Sequence, residues 1–376
     1  MDNNGLPSNY MDTTDMTQKS RSSSPNLCLP DSWQDVLQLE LGRNFTNLQP
    51  LGVGRTVKIY RAMHKDTQKM VVLKCLNRKL TSKKSFLKEF NYNYFLSNHP
   101  SILKSFNISI STSSFYVFGQ EHAIGGDLST MIVKGGFGEP QSKNLTEQIT
   151  YALDFLHRAS LVHRDVCLEN IFVFDNCLTN VKLGDFGQTE RAGTAVINEN
   201  LRSSWSPPEV CILKQDEEYY ADDSSDAWQM GILIFVCLTG FLPWSSATYS
   251  DRYYRQWLQW IKNDKTKIPP RFKFFSPQLM ELFRCLLEPN PMVRGGLEKV
   301  YEYLNKPWLI KEINCKDMAF HDSSSFIHVT SNISSSEISQ VRNVKDFLDV
   351  NSNEMFDFAK TNTSCVALGS YSQKSI

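Results

Sequence analysis

No stretch of this sequence is apolar enough to cross a bilayer. The most apolar run, Gly231–Leu238, falls far short of the roughly 18 residues a spanning helix needs, and it is expected as a buried core helix. An excess of one charge sign is missing too. Lys+Arg and Asp+Glu both number 40, so no broad basic field invites nucleic acid, and no membrane insertion is expected. The nine cysteines are odd in number and lack a C-x-x-C pair, which argues against a disulfide framework and a thiolate zinc site and fits a reducing compartment. The N-terminal stretch has no basic segment followed by an apolar one, and no glycine follows Met1, so neither a secretory signal nor myristoylation is expected. These absences point to a cytoplasmic or nuclear chain.

What is present changes texture along the chain. Residues 1–33 are rich in Ser, Thr, Asn and Asp and are expected to be disordered. Residues 34–45 gather Val36, Leu37, Leu39 and Leu41 into a short lead-in helix or strand. From about 45 to 120, short apolar runs broken by polar turns predict strands at LQPLGVG, VKIYRAMH, KMVVLKCL, SILKSFNISI and FYVFGQ. One helix lies among them, where Phe86, Phe90 and Tyr94 recur near helical spacing. From about 125 to 311 the pattern turns helical. Leu145, Ile149, Ala152, Leu153 and Leu156 share one face, and further helices are expected over 226–240, 251–262, 276–287 and 295–304. A strand-rich lobe thus precedes a helix-rich lobe, an α+β, two-lobed domain over 34–311 with its hinge near Glu121–Gly126. The Ser/Asn-rich tail, 312–376, is expected to be mostly disordered, with a short amphipathic helix over 336–350.

Four separated motifs carry chemistry. Leu51–Ile59 places Gly52 and Gly54 between two predicted strands, where the backbone can close over phosphates or simply turn a hairpin. Lys74 stands in the apolar strand Val71-Val72-Leu73-Lys74 and needs a counter-charge, which Glu89 on the predicted helix can supply. His163-Arg164-Asp165 is followed by Asn170, so one loop holds a carboxylate able to take a hydroxyl proton and an amide oxygen suited to a hard cation such as Mg²⁺. Asp185-Phe186-Gly187 brings a second carboxylate fifteen residues after Asn170.

In this order the motifs resemble the protein-kinase superfamily. Pro207-Pro208-Glu209 stands for the usual A-P-E, Asp226-Ala227-Trp228-Gln229-Met230-Gly231 is similar to the kinase D-x-W-x-x-G helix, and Arg294 matches the arginine that pairs with the A-P-E glutamate, here Glu209. FYVFGQEHAIGGDL, LVHRDV-x-x-EN and VKLGDFGQTERAGT most resemble the Src-homology-3-binding Ser/Thr kinases. The resemblance implies ATP and Mg²⁺ as cofactors and a protein substrate. It implies Asp165 as catalytic base, Asn170 and Asp185 as metal-holding groups, and Lys74, oriented by Glu89, on the α/β-phosphates. It also implies an adenine site formed by Leu51, Gly52, Val53, Gly54, Val57, Ile59, Val72, Gln120, Glu121, Ala123 and Phe172, with Gln120 at its back and Asp127 toward the ribose. Asp226 is expected to hold the catalytic-loop backbone rather than touch substrate.

Four departures set limits on that implication. Val57 replaces the third glycine of G-x-G-x-x-G, and Val72 replaces the usual alanine. Cys167 stands where Ser/Thr kinases carry the lysine that stabilises the γ-phosphate, and Glu169 stands where Tyr kinases carry arginine. A missing cation there removes roughly 10²–10³ in rate. A reactive thiol is one reading of Cys167, and a passive substitution is the simpler one. Arg202 occupies the position of a usual threonine and either restores positive charge or plugs the cleft against Asp165. Thr194, Ser203 and Ser204 are phosphorylation candidates that Arg164 can meet. The alternatives to a Ser/Thr kinase are therefore a nucleotide-binding pseudokinase scaffold and an adaptor whose termini bind regulatory partners. The tail offers no P-x-x-P for an SH3 domain.

Overall fold

In the computed structural model, which describes residues 36–38, 41–133, 135–198, 204–263, 267–311 and 313, the early apolar runs pair edge to edge. They comprise β1 (Leu37–Gln38), β2 (Phe45–Val53), β3 (Val57–His64), β4 (Met70–Asn77), β5 (Ser105–Ser111) and β6 (Phe115–Glu121), with α1 (Leu41–Asn44) leading in. The sheet order is β1-β5-β6-β4-β3-β2, antiparallel except for β1, which lies parallel to β5. The lead-in segment thus supplies both a strand and a helical turn.

Period two sorts the sheet into two faces. Tyr60, Ala62, Leu73, Cys75 and Val117 pack on one side with Leu41 and Phe45. Leu76, Tyr116 and Phe118 face the other way, against α2 (Lys83–Leu96). Ser82 caps α2 by accepting from the Ser85 N–H at 3.0 Å. Phe86 and Phe90, four residues apart, are both fully buried, and Phe86 stacks on Tyr116 at 4.9 Å between centroids.

The second lobe is built on α3 (Glu139–Arg158) and α5 (Ser224–Thr239), with α4 (Pro208–Cys211) before α5 and α6 (Arg252–Lys262), α7 (Pro277–Leu286) and α8 (Glu298–Tyr303) after it. Every residue of α5 is buried, so Gly231–Leu238 is a core helix as its composition implies. Trp244, Trp257 and Trp308 are fully buried around it. The Trp257 Nε1–H donates to the Leu287 carbonyl at 2.9 Å, and the Trp308 Nε1–H to that of Tyr303 at 2.9 Å. Short strands β7 (Leu161–Val162), β8 (Ile171–Val173), β9 (Val181–Leu183), β10 (Glu190–Arg191), β11 (Ala195–Ile197) and β12 (Glu218–Tyr220) join in pairs β7–β10, β8–β9 and β11–β12. No helix among the described residues is long and apolar enough to cross a membrane.

Two sequence readings need correction. The strand expected from Ser101 starts only at Ser105, because the preceding residues join the lobes instead: Leu103 N–H donates to Leu183 O at 2.8 Å, and Leu183 N–H donates to Ser101 O at 2.9 Å. The helix expected over 295–304 shortens to α8, since Gly295 is drawn off to the Cys285 carbonyl. The segments 1–33 and 314–376, the expected tail helix, Arg202 and Ser203 lie outside the described residues.

Candidate active site

The register of β4 decides where Lys74 points. Lys74 pairs with Ile59 on β3 and Phe118 on β6, and Val72 pairs with Gln120, so these side chains share the cleft face. Lys74 Nζ lies 2.8 Å from Glu89 Oε1 on α2 and 2.8 Å from Asp185 Oδ2 beyond β9. Burial alone pushes the Lys74 pKa down, but attraction to Asp185 and Glu89 outweighs it and the pKa is raised. Burial raises the Glu89 pKa in spite of Lys74. In Asp185 the same ammonium overcomes burial and holds the carboxyl below its usual range.

Asp185 adopts a left-handed backbone, φ 60°, which few non-glycine residues accept. Gly187 is outside that region. A Cβ there would press on Asp185 Oδ1 at 3.3 Å, so this glycine leaves room beside the carboxylates.

The loop after β7 is held by hydrogen bonds from both of its flanks. Asn170 Nδ2 donates to Asp165 O and Asp165 Oδ2, each at 2.8 Å. Both are acceptors, which leaves Asn170 Oδ1 as the outward atom. The Asp165 N–H donates to His163 Nδ1 at 3.2 Å, so the His163 proton sits on Nε2 and goes to Gly184 O at 3.2 Å. From α5, Asp226 accepts the His163 and Arg164 N–H groups at 2.9 and 2.8 Å. Gln229, one turn later, accepts from Val166 N–H at 2.8 Å and donates to Arg164 O at 2.9 Å. Asp226 therefore holds the loop backbone, as the sequence implies.

Around the hinge, Gln120 is buried and its Nε2 donates to Asn93 Oδ1 at 3.1 Å. The Glu121 carboxylate turns away to Lys182 Nζ at 2.7 Å and Lys104 N–H at 2.6 Å, so only its backbone is left for a ligand. Ala123 O accepts from Gly126 N–H at 3.2 Å. Asp127 caps the turn that follows, accepting from Ser129 N–H at 3.0 Å, and bridges to Phe172. Leu51, Gly52, Val53 and Ile59 line the β2–β3 hairpin, closed by Gly54 N–H donating to Val57 O at 2.8 Å. Val57 packs against the cluster of Leu76 and Phe86, so its branch is accommodated by the lobe.

The model for the protein kinase domain matches residues 45–309. The chain belongs to the protein kinase family. Its relatives include the serine/threonine-protein kinase meng-po of Drosophila melanogaster, 38% identical over 74% of this chain and 63% of that protein. Serine/threonine-protein kinase SBK1 of Danio rerio is 35% identical over 74% of this chain and 72% of its own length. Mus musculus SBK1 is 33% identical over 70% and 64%. The chain is thus similar to the Src-homology-3-binding kinases, and it spans under two thirds of two of these three relatives.

Within this kinase domain the departures look different in three dimensions. Cys167 is fully buried among Val166, Leu168 and their neighbours, so its thiol is not exposed to solvent. Arg164, at φ 69°, donates to Gln188 O and to Tyr219 Oη, both at 2.9 Å, and stacks over the Tyr219 ring. Glu209 and Arg294 form a two-pronged pair, both prongs 2.8 Å.

Sequence reasoning missed Gln229, His157, Asn93 and Tyr219. For Gln229 the available signal was its i+3 spacing from Asp226. His157 Nε2 lies 2.8 Å from Asp226 Oδ2. Burial pushes the His157 pKa down, but its hydrogen bond to Asp226, with the charges of Asp226, Asp223 and Asp154, raises it overall. Burial pushes Asp226 up, and His157 more than reverses that. The histidine's contribution is complete below its unfolded pKa of about 6.5 and fades as pH rises through the folded value. The Asp226 contribution is present above about 3.9 and fades as pH falls through its depressed value. The melting-temperature gap between wild type and His157→Gln should therefore be widest near pH 6 and narrow toward pH 9. A gap that does not change with pH would show that His157 stays neutral.

Proposed function

We propose that the chain is an ATP-dependent serine/threonine protein kinase that transfers the γ-phosphate of ATP to protein hydroxyls. One observation carries the reading: Lys74 bridges Glu89 in the small lobe and Asp185 in the large one, while Asn170 fixes Asp165 beside them. In this reading Asp165 takes the proton of the attacking hydroxyl. Lys74 holds the α/β-phosphates, and Glu89 keeps its ammonium charged and in place. The hinge backbone at Glu121 and Ala123 receives adenine between Val72 and Phe172, and Asp127 has its second carboxylate oxygen for the ribose.

The donor set suits magnesium. Asn170 offers a bare amide oxygen and Asp185 a carboxylate, both hard ligands, and no larger cluster of His, Cys, Asp or Glu that would trap another metal occurs among the described residues. Bound to Asn170 and Asp185, the ion would neutralise charge on the phosphate oxygens. None of the described cysteines forms a disulfide, which accords with a cytoplasmic or nuclear setting. Protein partners beyond the substrate would engage through the termini.

Buried Cys167 favours a second reading. With no cation at that position, the domain binds nucleotide and serves as a scaffold. Transfer of labelled γ-phosphate from Mg-ATP to generic Ser/Thr proteins and to the chain itself separates the two. The full chain should exceed Lys74→Met by about 10²-fold or more. Equal, negligible transfer in folded chains that still bind ATP would establish the scaffold.

A further inference from the structure

The back wall of the cleft is polar where its neighbours are aromatic. Gln120 lies two residues beyond Phe118 on β6, on the face that carries Lys74 and Val72, and is 6% exposed. Opposite it, α2 presents Asn93, one helical turn past Glu89 and fully buried.

The Asn93 amide has only one workable orientation. Its Nδ2 donates to the backbone carbonyl of Glu89 at 2.8 Å, an atom that can only accept. Oδ1 is thereby turned to Gln120 and requires a donor, which Gln120 Nε2 supplies at 3.1 Å. The same Nε2 lies 3.4 Å from Ser105 Oγ on β5. The Gln120 amide nitrogen is thus committed on the α2 and β5 side, and Oε1 is the end left over. No described residue donates to it, and it is not among the sealed polar atoms, in contrast to His99 Nε2 and Ser109 Oγ. Turning the amide over would set Oε1 against Asn93 Oδ1, two buried acceptors face to face.

We infer that Asn93, acting through Gln120, gives the back wall of the nucleotide cleft a fixed hydrogen-bond acceptor that selects a purine with an amino donor at its six position over one with an oxo group there. The inference rests on the reading of this cleft as an ATP site. Gln120 Oε1 meets the six position of the base beside the hinge backbone, and Asn93 is a positioning residue. A 6-oxo purine would bring its own acceptor against Oε1, and the mismatch is the discriminating element.

The test is the ratio of dissociation constants for ATP and inosine triphosphate, measured by calorimetry on the full chain, Asn93→Leu and Gln120→Met. Wild type should favour ATP, and the preference should fall about five- to tenfold in both variants, the worth of one hydrogen bond. Neither substitution touches the hinge backbone, so the change in ratio belongs to these side chains. A merely structural Asn93 would weaken both nucleotides together and leave the ratio unchanged, which overturns the inference. A ratio that falls in Gln120→Met alone overturns the positioning role. Should Asn93→Leu fail to fold, an unchanged ratio in Gln120→Met is itself decisive against the idea. A wild type that binds both nucleotides equally sinks the inference alone, whereas one that binds neither removes the ATP site as well.

Discussion

Replacing Asp165 by Asn is expected to lower γ-phosphate transfer by about 10²–10⁴-fold, the usual worth of a positioned general base. The substitution is nearly isosteric. Asn170 Nδ2 now donates to Asp165 Oδ2 and can donate to an amide oxygen in its place, so the loop geometry should survive. What disappears is the basic lone pair. ATP affinity should stay within about twofold of wild type, because the group acts on the hydroxyl and not on the nucleotide. Transfer and nucleotide binding measured on the same preparations check both halves. Undiminished transfer by Asp165→Asn would remove this residue from the mechanism.

Glu209→Ala should cost about 3 kcal/mol of folding stability. The Arg294 side chain is fully buried, and Glu209 meets it with two parallel hydrogen bonds of 2.8 Å. Without the carboxylate a buried guanidinium is left uncompensated, a change that typically costs about 3–5 kcal/mol. The lower end applies here, because Glu288 O at 2.8 Å and Ser224 O at 3.1 Å still accept from Arg294 and Glu209 is 27% exposed. Denaturant unfolding of the full chain measures the change. A loss under about 1 kcal/mol would mean that the carbonyls suffice by themselves.

The groups that the structure brings together in the cleft were legible in the sequence because each sits in a short, local pattern. Lys74 interrupts an apolar strand, and Asp165 and Asn170 share one loop. Asp185 follows a strand, and the period of two along β4 puts Lys74 and Val72 on one face. Of the residues that hold those groups, Glu89 and Asp226 were legible and others were not. Asn93 reads as an ordinary polar residue on a helix whose other face is aromatic, and its meaning depends on Gln120, 27 residues away. Gln229 reads as one polar side chain in a hydrophobic helix, and His157 as the basic end of another. Their roles come from contacts made 63 to 69 residues away in sequence. The left-handed backbone of Arg164 left no trace either, since arginine does not signal positive φ on its own.

Asp226 and Gln229 belong to a helix with no exposed residue, and between them they hold four backbone groups of the loop before Asn170. The loop is thereby spared the independent fraying common to surface connections. Its amides are therefore expected to exchange together with the centre of the large lobe, as one cooperative unit. A core substitution that leaves every catalytic side chain in place would still be felt at Asp165 as a larger fraction of time spent open.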